Sequence, residues 1–151
     1  MYKTLVVPVL LYGCETWKTN KGDDKAIDVF QSKCLQKILW IEWQDHVSTK
    51  ELLERATMKP LNEEVKYRRW NAIGHILRQD CNNDCNIATG RAPEGGRRWG
   101  RPKTTWWQTV EKECKEAGWI SWKETRMIAA DREQWKTSVK ALCAPRHKED
   151  R

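Results

Sequence analysis

Residues 24–41, DKAIDVFQSKCLQKILWI, decide the fold class. Ile27, Phe30, Cys34, Ile38 and Ile41 follow one another at steps of three, four, four and three. That is the period of an amphipathic helix, not the alternation of a strand. The same rhythm recurs along the chain. Ser48 and Glu51 make a capping-box pattern ahead of Leu52, Leu53 and Ala56, which predicts a short helix. Pro60 opens a longer one, with Trp70, Ile73 and Leu77 on one face and Arg68, Asn71, His75 and Arg78 on another. Trp106/Trp107, Val110, Cys114 and Ala117 predict a further helix, stopped by Gly118. Ser121 and Glu124 repeat the capping-box pattern and open a last helix, with Ile128, Trp135, Val139 and Leu142 inward and its end before Pro145. Only Thr4–Leu11 offers a trace of strand alternation. The expectation is an all-α protein, a small bundle of about five helices with one long basic loop containing glycine and proline.

Four segments follow from this reading: a helical segment over 1–80, a Gly/Arg-rich loop over 81–103, C-terminal helices over 104–143, and a charged tail over 144–151. The chain has 151 residues with 8 Gly and 5 Pro, which excludes collagenous and low-complexity classes. No apolar run reaches the roughly 18 residues of a membrane-spanning helix, so no membrane partner is expected. Net charge is +7, of which residues 1–75 carry +2 and residues 76–151 carry +5. A basic excess favours polyanionic partners, because Lys and Arg displace counterions from phosphates. Ten tryptophans suit both the core of a small helical domain and stacking on bases. Six cysteines invite a disulfide reading, but Leu5–Tyr12 is too short for a signal-peptide core and contains Pro8. Reduced thiols in an intracellular setting, nuclear or cytoplasmic, are expected instead.

Catalytic signatures are not visible. Gly22-Asp23-Asp24 looks like the acidic signature of a polymerase, yet Thr19-Asn20-Lys21 and Lys25-Ala26 flank it where two-metal chemistry needs apolar strands. A turn and helix cap explain it fully. Cys81 and Cys85, with His75 upstream, supply at most half of a four-ligand zinc site, so no cofactor or metal is expected. None of the three histidines sits in a Cys/His or Ser/His signature, and no phosphate-binding glycine loop is present.

The loop is the strongest feature. Arg91, Arg97, Arg98, Arg101 and Lys103 stand against a single Glu94, net +4 in thirteen residues. Gly95, Gly96 and Gly100 let the backbone approach a partner, and Trp99 interleaves an aromatic ring. Gly100-Arg101-Pro102 resembles the centre of an AT-hook, with Trp99 where such a hook carries arginine. Helix-face residues Arg68, His75 and Arg78, together with Arg97, Arg98, Trp99, Arg101 and Lys103, are therefore the candidate nucleic-acid contacts.

Four motifs occur in order: Leu11-Tyr12-Gly13-Cys14-Glu15-Thr16-Trp17, Gly74-His75-Ile76-Leu77-Arg78, Gly95 through Gly100-Arg101-Pro102-Lys103 with Trp106, and Ala130-Asp131-Arg132 with Trp135. The set resembles the C-terminal region of non-LTR (LINE-type) retrotransposon endonuclease–reverse transcriptases. The resemblance implies that 1–80 corresponds to the thumb, that the polymerase palm and the endonuclease belong upstream, and that the chain has neither activity. It further implies structural roles for Glu15, Trp17, Asp131, Arg132 and Trp135. Gly96 and Trp99 depart from the family's commonest pattern. The expected partner is RNA or DNA backbone, bound largely without sequence preference. The alternatives are a protein-interaction module and a non-functional retroelement remnant. The apolar N-terminal segment, Leu5–Leu11, is a candidate surface for self-association.

Overall fold

The computed structural model describes residues 1–80, 82–90, 105–119 and 121–144, and every regular element among them is helical. Helix α1 (Val7–Leu10) continues a π-helical turn over Tyr2–Val6. It is followed by α2 (Lys21–Ile38), α3 (Thr49–Arg55), α4 (Leu61–Leu77), α5 (Asp84–Gly90), α6 (Trp106–Ala117), α7 (Trp122–Ala130) and α8 (Arg132–Cys143). No helix among the described residues is long and apolar enough to cross a membrane.

Helix α4 is the axis of the packing and meets α2, α5, α7 and α8. Its first half closes a cluster of Val7, Leu11, Cys14, Leu61 and Val65. Its second half joins Trp70, Ile73 and Leu77 to Val110, Cys114, Trp119, Ala129, Trp135, Val139 and Leu142. Trp70, Trp119 and Trp135 form the centre of that larger cluster, with ring centroids 5.0, 6.0 and 5.4 Å apart, in the range that aromatic pairs prefer. Gly74 explains how they fit. A Cβ there would overlap Nε1, Cε2 and Cδ1 of Trp135, so only glycine lets the indole lie against α4.

Side-chain caps set most helix starts. Asn20 accepts from the Gly22 and Asp23 amides at 2.7 and 3.1 Å, and Asp23 returns the bond to the Asn20 amide at 3.0 Å. The polymerase-like tripeptide is thus the first turn of α2. Ser48 caps α3, and Thr105 with Gln108 forms a capping box on α6. Helices α2, α3 and α6 end alike, in a left-handed turn closed from Ile41 N to Gln36 O, Met58 N to Leu53 O and Trp119 N to Cys114 O. The left-handed positions are Trp40, Thr57 and Gly118, with φ of 53°, 52° and 79°. Only at Gly118 is the residue the one that such a turn favours; a side chain there costs roughly 1–2 kcal/mol.

Five expectations are corrected. Thr4–Leu11 is helical, not extended, because Val7, Leu11 and Cys14 are the inward positions and they recur at helical spacing. The bundle has eight α-helices among the described residues instead of about five. Residues 84–90, read as loop, form α5. Asn83 accepts from the Cys85 amide, and the Asn86 amide donates to Ile76 O, Gln79 O and Asp80 O, closing the end of α4. The asparagines act as caps there, not as loop punctuation. The last helix is two, because the Asp131 carboxylate accepts from the Glu133 and Gln134 amides and starts α8 afresh. Finally, α2 ends at Ile38 and buries Gln31 and Leu35, while Phe30 and Ile38 are 42% and 52% exposed. The Gln31 amide explains the turn of that face, since it donates to Lys59 O and accepts from the Leu61 amide ahead of α4.

Candidate nucleic-acid interface

Of the candidate contacts, Arg68, His75 and Arg78 are carried by α4 and its C-cap, so their positions follow from the packing of that helix. Arg68 donates through Nε to Glu64 Oε1 at 2.8 Å, one turn back on the same helix. This carboxylate holds the guanidinium above its ordinary pKa. Arg78 donates through Nη1 to Ala129 O at 3.1 Å, the carbonyl at the end of α7. It places a cation where a helix dipole is negative, a tertiary role that the sequence does not reveal. His75 is exposed and shares a 3.0 Å bond with the Gln79 amide. The three lie along one helix and each has an internal partner, Glu64 for Arg68, Gln79 for His75 and the Ala129 carbonyl for Arg78.

Cys81, Arg97, Arg98, Trp99, Arg101 and Lys103 lie outside the described residues. The residues that flank the basic segment are placed. Thr89 and Trp106 line one void of about 10 Å³ together with Ile73, Ile76, Leu77 and Trp122. Trp106 also donates from Nε1 to Glu15 O at 2.9 Å. Both stems of the segment are therefore seated against the second half of α4. Cys85 is exposed, and no group of three or more His, Cys, Asp or Glu side chains among the described residues could hold a metal ion. Cys14, Cys34, Cys85, Cys114 and Cys143 are free thiols.

The strongest electrostatic feature was not among the candidates. Arg69 is 1% exposed and donates to Glu113 Oε1 at 2.6 Å, to Trp17 O at 3.0 Å and to Thr19 Oγ1 at 3.1 Å. Glu113 Oε2 accepts from Trp70 Nε1 at 2.7 Å. Burial pushes the Glu113 carboxyl above its ordinary value, against the pull of Arg69 and Lys66. The pair ties α4 to α6 and to the segment before α2. The sequence carries half of its signal, because Glu113 falls at an inward step between Val110 and Ala117, but nothing local pairs it with Arg69. A cleft of about 700 Å³ opens over this pair, walled by Lys21, Asp24, Asp28, Lys66 and Lys112. Burial raises the carboxyls of Asp24 and Asp28. Both positive and negative groups line the cleft, so it offers no net attraction for an anion.

Outside residues 95–103, the residues of the four sequence motifs are placed as well. Trp17 and Glu15 act through their carbonyl oxygens, as partners of Arg69 and Trp106. Asp131 caps α8 and Trp135 is 2% exposed, whereas Arg132 is exposed. No protein-family model, no curated protein and no solved structure matches this chain.

Proposed function

We propose that this chain is a nucleic-acid-binding segment without polymerase or endonuclease activity, akin to the C-terminal region of a non-LTR retrotransposon reverse transcriptase. The observation that carries the reading is the charge run from Arg91 to Lys103, net +4 in thirteen residues. Its support is the seating of both flanks on one rigid helix, since a held basic segment loses less entropy on binding than a free tail. In this reading Arg97, Arg98, Arg101 and Lys103 contact phosphates, Trp99 stacks on an unpaired base, and His75, exposed on α4, adds a polar contact. Arg68 and Arg78 contribute chiefly through Glu64 and Ala129. The resemblance of the four motifs to those of the retroelement proteins supports the same reading.

The test is the salt dependence of binding to duplex DNA. Four phosphate contacts contribute roughly −3.6 to the slope of log K against log salt. Replacing Arg97, Arg98, Arg101 and Lys103 together by Gln flattens the slope by nearly that amount and leaves helicity unchanged. An unchanged slope overturns the reading. Neither template-dependent nucleotide addition nor DNA nicking is expected of the purified chain with Mg²⁺ or Mn²⁺.

A second reading, self-association, is favoured by Leu5, Val9 and Tyr12, which are 59%, 78% and 86% exposed at steps of four and three. Sedimentation equilibrium of the parent and of Leu5→Glu with Val9→Glu decides it. A dimer that the double variant abolishes supports the reading, and a monomeric parent removes it.

A further inference from the structure

At the end of α2 the fold displays a residue that contributes nothing to its packing. Trp40 is 91% exposed and occupies the left-handed turn with φ of 53°. Gly118 shows which residue such a turn favours, and Thr57 shows that a small polar one is tolerated. A tryptophan combines the strain of a side chain in that region with exposure of a large apolar ring, so neither helix termination nor burial accounts for it.

Its surroundings supply a second and independent observation. Trp40 borders a groove of about 730 Å³ whose walls also include Phe30, Lys33, Lys37, Ile41 and one carboxylate, Glu42. Phe30 is 42% exposed and lies on the last turns of α2, ten residues before Trp40. Lys33 and Lys37, one turn apart between the two rings, are exposed, and neither makes an ion pair among the described residues. Gln36 adds an amide that can both donate and accept.

We propose that this groove is a platform for single-stranded nucleic acid, on which Trp40 stacks with an unpaired base while Lys33 and Lys37 take the flanking phosphates. Two displayed aromatic rings with a pair of lysines between them, against the single carboxylate of Glu42, match the two demands of a single strand, a π-face for each base and cations along the backbone. An acidic amphipathic peptide satisfies the lysines equally well. It leaves the face of a 91% exposed indole without the stacked partner that a base supplies. The proposal rests on the nucleic-acid reading given above and adds a site distinct in sequence from the 91–103 segment, with a preference for unpaired strands.

The test measures anisotropy of a labelled short oligo-dT, of a duplex of the same length, and of an acidic amphipathic peptide. Trp40→Gly weakens oligo-dT binding by roughly 5- to 150-fold, the range for loss of one stacked base, and leaves duplex binding unchanged. Trp40→Phe retains most of the affinity. Lys33→Gln with Lys37→Gln flattens the single-strand salt slope by about 1.4. The melting temperature of Trp40→Gly equals or exceeds that of the parent, because glycine relieves the turn. Unchanged oligo-dT binding in Trp40→Gly overturns the platform; if the quadruple Gln variant still loses duplex binding, the broader reading stands. Failure of the parent to bind either oligonucleotide overturns both. Peptide binding that Trp40→Gly abolishes, with oligo-dT unaffected, makes the groove a protein-docking site instead.

Discussion

A single hydrogen atom at position 74 lets α8 approach α4. The place of a Cβ there is taken by the Trp135 indole, in a core whose rings already touch. Gly74→Ala forces the indole or the helix to move, and overpacking of this kind costs typically 1–3 kcal/mol. Urea denaturation is expected to show the loss, with little change in the far-ultraviolet helical signal before unfolding. Two thiols make a second prediction at the same scale. Burial pushes Cys114 and Cys143 up from 9.0 to about 11. The folded chain then holds protons that the unfolded chain releases, so stability falls as pH rises from 9 towards 11, and the effect is absent below that window. Thermal melts across that range should show a steeper alkaline decline for the parent than for Cys114→Ala with Cys143→Ala. Parallel declines would show that the two thiols are not its source.

Among the elements, residues 121–143 best show how local signals compete. Ile128 and Trp135 lie seven apart, so periodicity alone joins them into one helix. Asp131 divides them, with an extended backbone at φ −89° and ψ 113° and a carboxylate that serves two amides of the new helix. Asp131→Ala removes that cap and is expected to destabilise by ~0.5–2 kcal/mol, whereas Asp131→Asn keeps an acceptor and most of the stability. Equal denaturation midpoints for the two variants would show that tertiary packing, not the cap, divides the helix. The same competition produced α5, where Asn83 and Asn86 read as loop formers but spend their side chains on helix ends. In α2 the inward face was legible in its period but misplaced, because Gln31 takes a buried position through bonds to residues about thirty positions away.

Across the whole molecule, the buried Arg69–Glu113 pair joins parts of the chain that no local pattern connects. Side-chain exposures of 1% and 11% leave neither charge hydrated. Removing one partner strands the other, so Glu113→Ala is expected to cost about 3–5 kcal/mol. Exchanging both, Arg69→Met with Glu113→Leu, strands no charge and is expected to be less destabilising than Glu113→Ala alone. Equilibrium denaturation of both variants checks the order, and a double variant weaker than the single would show that the Arg69 bonds to Trp17 and Thr19 matter more than the ion pair.

Sequence alone determined the helical class, most helix starts, and the presence of a basic, glycine-rich segment. These depend on spacings within one or two turns, on caps that reach their own amides, and on charge counts that need no coordinates. Tertiary structure decided which helical faces turn inward, which arginine is buried, and which tryptophan stands in solvent. Those outcomes depend on partners 28 to 91 positions away, such as Lys59 for Gln31, Glu113 for Arg69 and Glu15 for Trp106. Ten tryptophans look alike in a sequence, but only the packed chain separates Trp70, with no exposed surface, from Trp40, almost wholly exposed. Burial is a property of the neighbours that the rest of the fold brings, and a local pattern does not contain them.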